Sequence, residues 1–252
     1  MYLLKEKSIY SGNLILVNPQ YPYQTADTDD LIPVTEQNAE IQVSRGAATL
    51  LCELMRKING WNKIVPVSGW RSLQEQQTIW NNSLTENGME FTKKFVAVPG
   101  HSEHQTGLAI DLALKQENID FICPEFPYSG ICQTFRQYAA YYGFIERYPA
   151  GKETVTKIGH EPWHFRYVGV PHALIMQKNS FTLEEYIDFI RNYPYGIHRY
   201  HYAENGLNAL VSFFKTDAAV STFTIEENMP FCISGNNVDG FIITQWRNPN
   251  ER

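Results

Sequence analysis

The chain has 252 residues, enough for one large domain or for a domain of about 190 residues with an appendage. A hydrophobic content of 43% with 15 tyrosines supports a full core, while a net charge of −6 and the absence of any basic run argue against a nucleic-acid partner. No window approaches the roughly 20 apolar residues of a membrane span, and Met1–Ser8 lacks the apolar run of an export signal, so the expectation is a cytoplasmic protein.

In chain order, Asn13–Asn18 reads as a short strand ending at Pro19, and Gln20 to Pro33 as a Pro-, Asp- and Tyr-rich loop able to roof a cleft. From Gln42 to Ile58 the positions Val43, Ala47, Leu50, Leu51, Leu54 and Ile58 recur at helical spacing, and Asn59-Gly60 ends that helix. Ile64–Val67 follows as a strand, with Ser68-Gly69-Trp70-Arg71 turning out of it. Ser72 and Glu75 then form a capping box. Trp80 to Val98 is polar and is expected to wander near the cleft. From Gly107 alternation is strict, with Leu108, Ile110, Leu112 and Leu114 on one face and Ala109, Asp111 and Ala113 on the other.

Pro124–Gly130 reads as a loop, Thr134–Tyr142 as a helix closed by a left-handed Gly143, and Gly143–Pro149 as a strand followed by a turn at Ala150–Glu153. Val155–His160 and Trp163–Val168 are expected to be further strands, and Pro171–Lys178 a helix. A second capping box at Thr182–Glu185 opens a helix ending near Asn192. Beyond Tyr193–Gly196 three strand-like runs follow, Ala209–Lys215, Thr222–Glu226 and Gly240–Trp246. The pattern predicts an α+β fold: a central antiparallel sheet flanked by helices and carrying the site, over residues 1–192, with a small β appendage over residues 193–252.

The chemistry concentrates in two stretches. Asp111 projects away from the apolar row between two alanines, His104 lies just upstream, and Gly107 lets the backbone turn so that imidazole and carboxylate can converge. A third ligand is available from His160-Glu161-Pro162-Trp163-His164, where Pro162 is expected to force a turn or a helix start that points Glu161 and His164 the same way. His104, Asp111 and His164 would make a three-ligand zinc site with an open fourth position, as catalytic zinc keeps, and Glu161 would stand beside it. The competing reading has His104 capping a loop, Asp111 paired with an arginine and His164 packed under Trp163. His198 and His201 could also pair on a metal, but two histidines in a tyrosine-rich linker read as solvated. Cys52, Cys123, Cys132 and Cys232 show no Cys-x-x-Cys pair and read as reduced thiols, with Cys123 and Cys132 placed to bridge in an oxidising setting.

The pattern Ser102-x-His104-x-x-Gly107-x-Ala109-x-Asp111, followed by Glu161-Pro-Trp-His164-Phe-Arg-Tyr-Val168 and preceded by Gly69-Trp-Arg71-Ser-x-x-x-Gln76, resembles the zinc D,D-peptidases of the VanY and VanX kind from about Ile41 to Asn192. The resemblance implies that His104, Asp111 and His164 hold Zn2+, that Glu161 is the general base and that Arg71 stabilises the transition state. It implies substrate contacts at Gln76 and Ser102, to which Trp163 is added. The implied substrates are cell-wall precursor peptides ending in D-Ala-D-Ala, as in vancomycin resistance, with L,D-carboxypeptidase action on tetrapeptides or a non-catalytic zinc module as alternatives. The sequence departs from the pattern at His160, where similar sequences often carry a tyrosine.

Overall fold

The computed structural model describes residues 2–5, 9–25, 30–216, 220–223 and 229–247. In chain order the elements are β1 (Tyr2–Lys5), β2 (Leu31–Thr35), β3 (Asn38–Ser44), α1 (Arg45–Lys57), β4 (Ile64–Ser68), α2 (Leu73–Phe95), β5 (Ala109–Leu114) and α3 (Gly130–Ala139). There follow β6 (Phe144–Tyr148), α4 (Glu153–Thr156), β7 (Glu161–Tyr167), α5 (His172–Asn179), α6 (Leu183–Ile190), β8 (Tyr200–Glu204), β9 (Leu207–Lys215), β10 (Val220–Phe223), β11 (Phe231–Gly235) and β12 (Gly240–Trp246). The fold is α+β, as expected. Contacts divide it into two compact units, Val17–Thr182 and a second made of Met1–Leu16 with Leu183–Arg252. The sequence reading placed the division at Asn192; here α6 and the first sixteen residues group with the C-terminal strands.

The larger unit is built on an antiparallel sheet in the order β4-β5-β7-β6. One face carries the apolar row. Ile110, Leu112 and Phe165 are buried there, and the rings of Phe126, Phe135 and Phe165 meet edge to face with centroids 4.8–5.7 Å apart. Each such side chain removed from water contributes about 1.5–3 kcal/mol, which makes this sheet a stiff platform for whatever projects from its other face. The smaller unit holds the antiparallel sheet β11-β12-β9-β8 and the pair β1-β10.

Several expectations are corrected. Asn13–Asn18 forms no strand: its apolar residues are buried, but Leu14 N–H donates to Ser234 Oγ and Leu16 N–H to the Asn236 carbonyl in place of a ladder. The expected loop to Pro33 and the start of the expected helix contain the hairpin β2-β3, turned at Thr35–Asn38 by bonds from Asn38 N and Nδ2 to Thr35 Oγ1. The helix begins only at Arg45, capped by Ser44. The polar stretch from Trp80 is the body of α2, which kinks at Gly88 and buries Ser83 and Thr92 in a 2.7 Å hydroxyl–hydroxyl bond rather than an apolar stripe. That polar burial is why periodicity missed it.

Val155–His160 is not a strand but the short α4 and a turn through Lys157 at φ 64. Pro162 does not break the chain either. It lies inside β7, where the register against β6 shifts between Glu146 and Tyr148 and pairing with β5 begins only at His164, so its missing N–H removes no ladder bond. In the C-terminal unit β8 and β11 were not anticipated; of Thr222–Glu226 the first two residues lie in β10 and the last three outside the described residues.

Candidate active site

Asp111 on β5 stands directly opposite His164 on β7 and Ser68 on β4, so these side chains emerge side by side from the face opposite the apolar row. His104 comes from a single 3-10 turn, Glu103–Thr106, returned to β5 by Gly107 at φ 69. Only glycine fits there: the backbone is left-handed and a Cβ would meet Leu31 Cδ2 at 2.6 Å. Gly69, at the end of β4, lies so close to the β3 backbone that a Cβ would be 2.3 Å from the Gln42 carbonyl oxygen. The Gly69 carbonyl accepts from His104 Nδ1 at 2.6 Å. This places the ring proton on Nδ1 and leaves Nε2 as a lone pair aimed inward.

His104 Nε2 is 3.1 Å from Asp111 Oδ2, and His164 Nδ1 is 2.9 Å from Asp111 Oδ1. One donor atom from each of the three buried residues lies within 4.8 Å of the others. Burial and then the Arg71 charge lower the His104 pKa to about 4, against the pull of Asp111, so the ring is neutral. Burial alone would raise Asp111, but His104 and His164 hold its carboxyl well below the usual range. A neutral imidazole lone pair thus faces an ionised carboxylate oxygen at contact distance, with no hydrogen bond for Nε2. That juxtaposition fits a cation, and two imidazoles with one carboxylate are a donor set suited to zinc.

Glu161 opens β7 with its carboxylate 3.8 Å from His164 Nδ1. Burial pushes its carboxyl up to about 8, with His164 opposing and Asp111 adding to the shift. A carboxyl poised near neutrality is suited to taking and returning a proton. For His164, burial is outweighed by the Asp111 carboxylate and the pKa rises to about 9. The Arg71 guanidinium reaches to 3.8 Å from Asp111 Oδ2, and its Nε is buried without a partner. Gln76, on the first turns of α2, donates through Nε2 to the Ala97 carbonyl at 2.8 Å, which leaves Oε1 as its free atom.

The residues matching one known family span this site: a family model for D-alanyl-D-alanine carboxypeptidases, VanY, covers residues 40–170. The chain belongs to the VanY family. A curated relative, the bifunctional D-Ala-D-Ala dipeptidase and D-Ala-D-Ala carboxypeptidase VanXYC of Enterococcus gallinarum, is 42% identical over 71% of this chain and 95% of its own length. The crystal structure of the vancomycin resistance D,D-dipeptidase VanXYg, in complex with a D-Ala-D-Ala phosphinate analog, matches with a TM-score of 0.95 at 47% identity over 98% of each chain. A mutant of the vancomycin resistance D,D-pentapeptidase VanY from the VanB-type cassette, solved in complex with Zn(II), matches with a TM-score of 0.56 at 28% identity over 69% of this chain and 98% of its own.

In this VanY-family chain, Arg71, Gln76, Ser102, His104, Asp111, Glu161, Trp163 and His164 all line one pocket. His160 does not line it; its Nε2 is 2.7 Å from Tyr128 Oη, and the two rings stack. Tyr148 does, its ring lying against His164 with centroids 4.9 Å apart. Sequence reasoning missed Tyr148, and also the ion cluster beneath His164. There Glu103 Oε1 accepts from Arg147 Nε and Arg166 Nη1, each at 2.8 Å and wholly buried. Glu103 sits inside the recognised motif and Arg166 two residues past His164, so both were within reach of the reading.

His198 lies against the Tyr193 ring and His201 Nε2 is 2.7 Å from Asn208 Oδ1; among the described residues neither joins a group placed to hold a metal ion. All four cysteines are free thiols. Among the described residues no helix is long and apolar enough to cross a membrane.

Proposed function

We propose that this chain is a zinc-dependent D,D-peptidase that hydrolyses D-Ala-D-Ala and removes the C-terminal D-alanine of peptidoglycan pentapeptide precursors. The observation that carries the reading is the His104–Asp111–His164 convergence with Glu161 beside it, in a fold shared over nearly the whole chain with a D,D-dipeptidase. His104 Nε2, an Asp111 oxygen and His164 Nδ1 would hold the ion. Zinc there supplies Lewis-acid polarisation of a carbonyl and lowers the pKa of a water.

The remaining work falls to side chains. Glu161 takes a proton from the attacking water and returns it to the amine nitrogen as the peptide C–N bond breaks. Arg71, fixed in a buried pocket, offers its guanidinium to the carbonyl oxygen as charge builds there, which is where a preorganised cation is most effective. The free atom of Gln76 is an acceptor and so suits a substrate N–H rather than a carboxylate. Ser102 and Trp163 complete the wall against which the terminal residue would rest.

Product analysis with D-Ala-D-Ala, a pentapeptide precursor and a tetrapeptide, side by side, tests the reading. Release of D-alanine from the first two is expected. Cleavage of the tetrapeptide alone would move the chain to L,D-carboxypeptidases, and no cleavage of any would leave a wall-peptide-binding module.

A further inference from the structure

Glu103 is wholly buried between two buried arginines, and its two oxygens are not used alike. Oε1 takes both the Arg147 and the Arg166 hydrogen bonds. Oε2 is left without a hydrogen bond and lies 3.7 Å from His164 Nε2, which is also buried and without one. Two such atoms left unsatisfied would cost about 1–3 kcal/mol each. At 3.7 Å there is no room for a water between them, since a bridge needs about 2.8 Å on either side. A small rotation of either group brings them into bonding range. On the other edge of the same ring, Nδ1 is the atom that converges with His104 and Asp111.

We propose that Glu103 is the positioning residue for His164: its free oxygen accepts the Nε2–H of that imidazole and so fixes the tautomer that turns the Nδ1 lone pair towards the metal. The inference rests on the zinc reading above. It gives the buried arginines a purpose, because they hold the carboxylate in place through one oxygen and leave the other for His164. The neighbouring ligand is fixed in the complementary sense, with His104 Nδ1 donating to the Gly69 carbonyl and Nε2 turned inward. Each histidine thus commits its non-ligating nitrogen to an oxygen acceptor, as metal-bound histidines generally do.

The test uses the full chain, stripped of metal and titrated with Zn2+ against a chelator. In Glu103→Gln the arginines claim the amide oxygen, so the NH2 faces His164 Nε2, donor against donor, and the opposite tautomer is favoured. Zinc affinity is expected to fall about 10- to 100-fold. Glu103→Asp keeps the charge but withdraws the carboxylate by one methylene, and is expected to bind zinc more weakly than wild type as well. An Asp variant that matches wild type would reduce the role of Glu103 to its charge and overturn the proposal, as would a Gln variant of unchanged affinity. A variant that fails to fold leaves the decision to nitrogen-15 NMR of histidine-labelled wild type. With zinc bound, the His164 Nε2 proton is expected at the low field of a hydrogen bond to a carboxylate and slow to exchange with water; a proton at the position of a free imidazole N–H overturns the proposal, and a purely structural ion cluster would leave it there. Wild type that binds no zinc would instead overturn the metal centre itself, a failure distinct from unequal affinities among variants.

Discussion

Glu161→Gln separates catalysis from stability within one side chain. The amide keeps the shape of the carboxyl but cannot accept a proton, so turnover should fall by about 10²–10⁴, or roughly 3–5 kcal/mol in barrier. Stability should move the other way. The Glu161 carboxyl ionises at 4.5 when unperturbed and only at about 8 in the fold, chiefly because it is buried. Its contribution is therefore fully present below 4.5 and is lost as pH rises towards 8; at pH 7 the folded state forgoes about 3 kcal/mol that the unfolded chain gains by ionising. Glutamine removes that loss. The metal-stripped variant should melt roughly 6–12 °C above metal-stripped wild type at pH 7, with the gap closing near pH 4. Calorimetry across pH and steady-state kinetics on D-Ala-D-Ala measure the two effects. Near-wild-type turnover with zinc intact would remove Glu161 from the mechanism, and equal melting at pH 7 would refute the buried-carboxyl argument.

His104→Ala and His164→Ala should each lose zinc as well as activity, and metal analysis after dialysis showing wild-type content in either would displace that residue from the site. Arg71→Ala should lower kcat by about 10²–10³ with zinc content unchanged, since a donor to a developing oxyanion acts in the transition state; a rise in KM alone would make Arg71 a binding group. Burial lowers the His172 pKa from 6.5 to about 3, so the folded state resists a proton that the unfolded chain takes up. Stability is full above 6.5 and falls by about 5 kcal/mol as pH drops towards 3, and His172→Gln should flatten the melting-temperature profile in that window; an unchanged slope would assign the acid sensitivity elsewhere.

The site was more legible than the scaffold that carries it. The strict alternation after Gly107 placed Asp111 on the face away from Leu112 and Ile110, because one side of β5 meets an apolar core and the other a pocket. Ser72 announced a helix start through a local hydrogen bond that a sequence states directly, whereas the first helix was expected from Gln42 and begins after its cap Ser44. What escaped was non-local. α2 buries Gln76, Ser83 and Thr92 rather than a stripe of leucines, so no periodicity marks it. Pro162 was read as a break because its tolerance in β7 depends on a register shift in the neighbouring strand. The Glu103–Arg147–Arg166 cluster unites a turn and two strands, and each of its members alone reads as an ordinary surface charge.

Charge balance in the pocket leads to one more expectation. Glu103, Asp111 and Glu161 stand against Arg71, Arg147 and Arg166, three carboxylates and three guanidinium groups in or beneath one pocket. Without metal the network draws protons: His164 holds one up to about 9 between its nitrogens and Asp111, and Glu161 holds one up to about 8. Zinc needs the His164 Nδ1 lone pair, and a divalent charge beside Glu161 favours its ionised form. Binding at pH 7 should therefore release close to two protons per zinc, with affinity rising steeply with pH and levelling off above about 9. Titration calorimetry in buffers of different ionisation enthalpy counts those protons. Glu161→Gln has only the His164 proton to give and should release about one. Zinc binding that releases no proton from wild type would mean that His164 is already deprotonated in the metal-free protein, and that Asp111 does not hold the imidazole in its charged form.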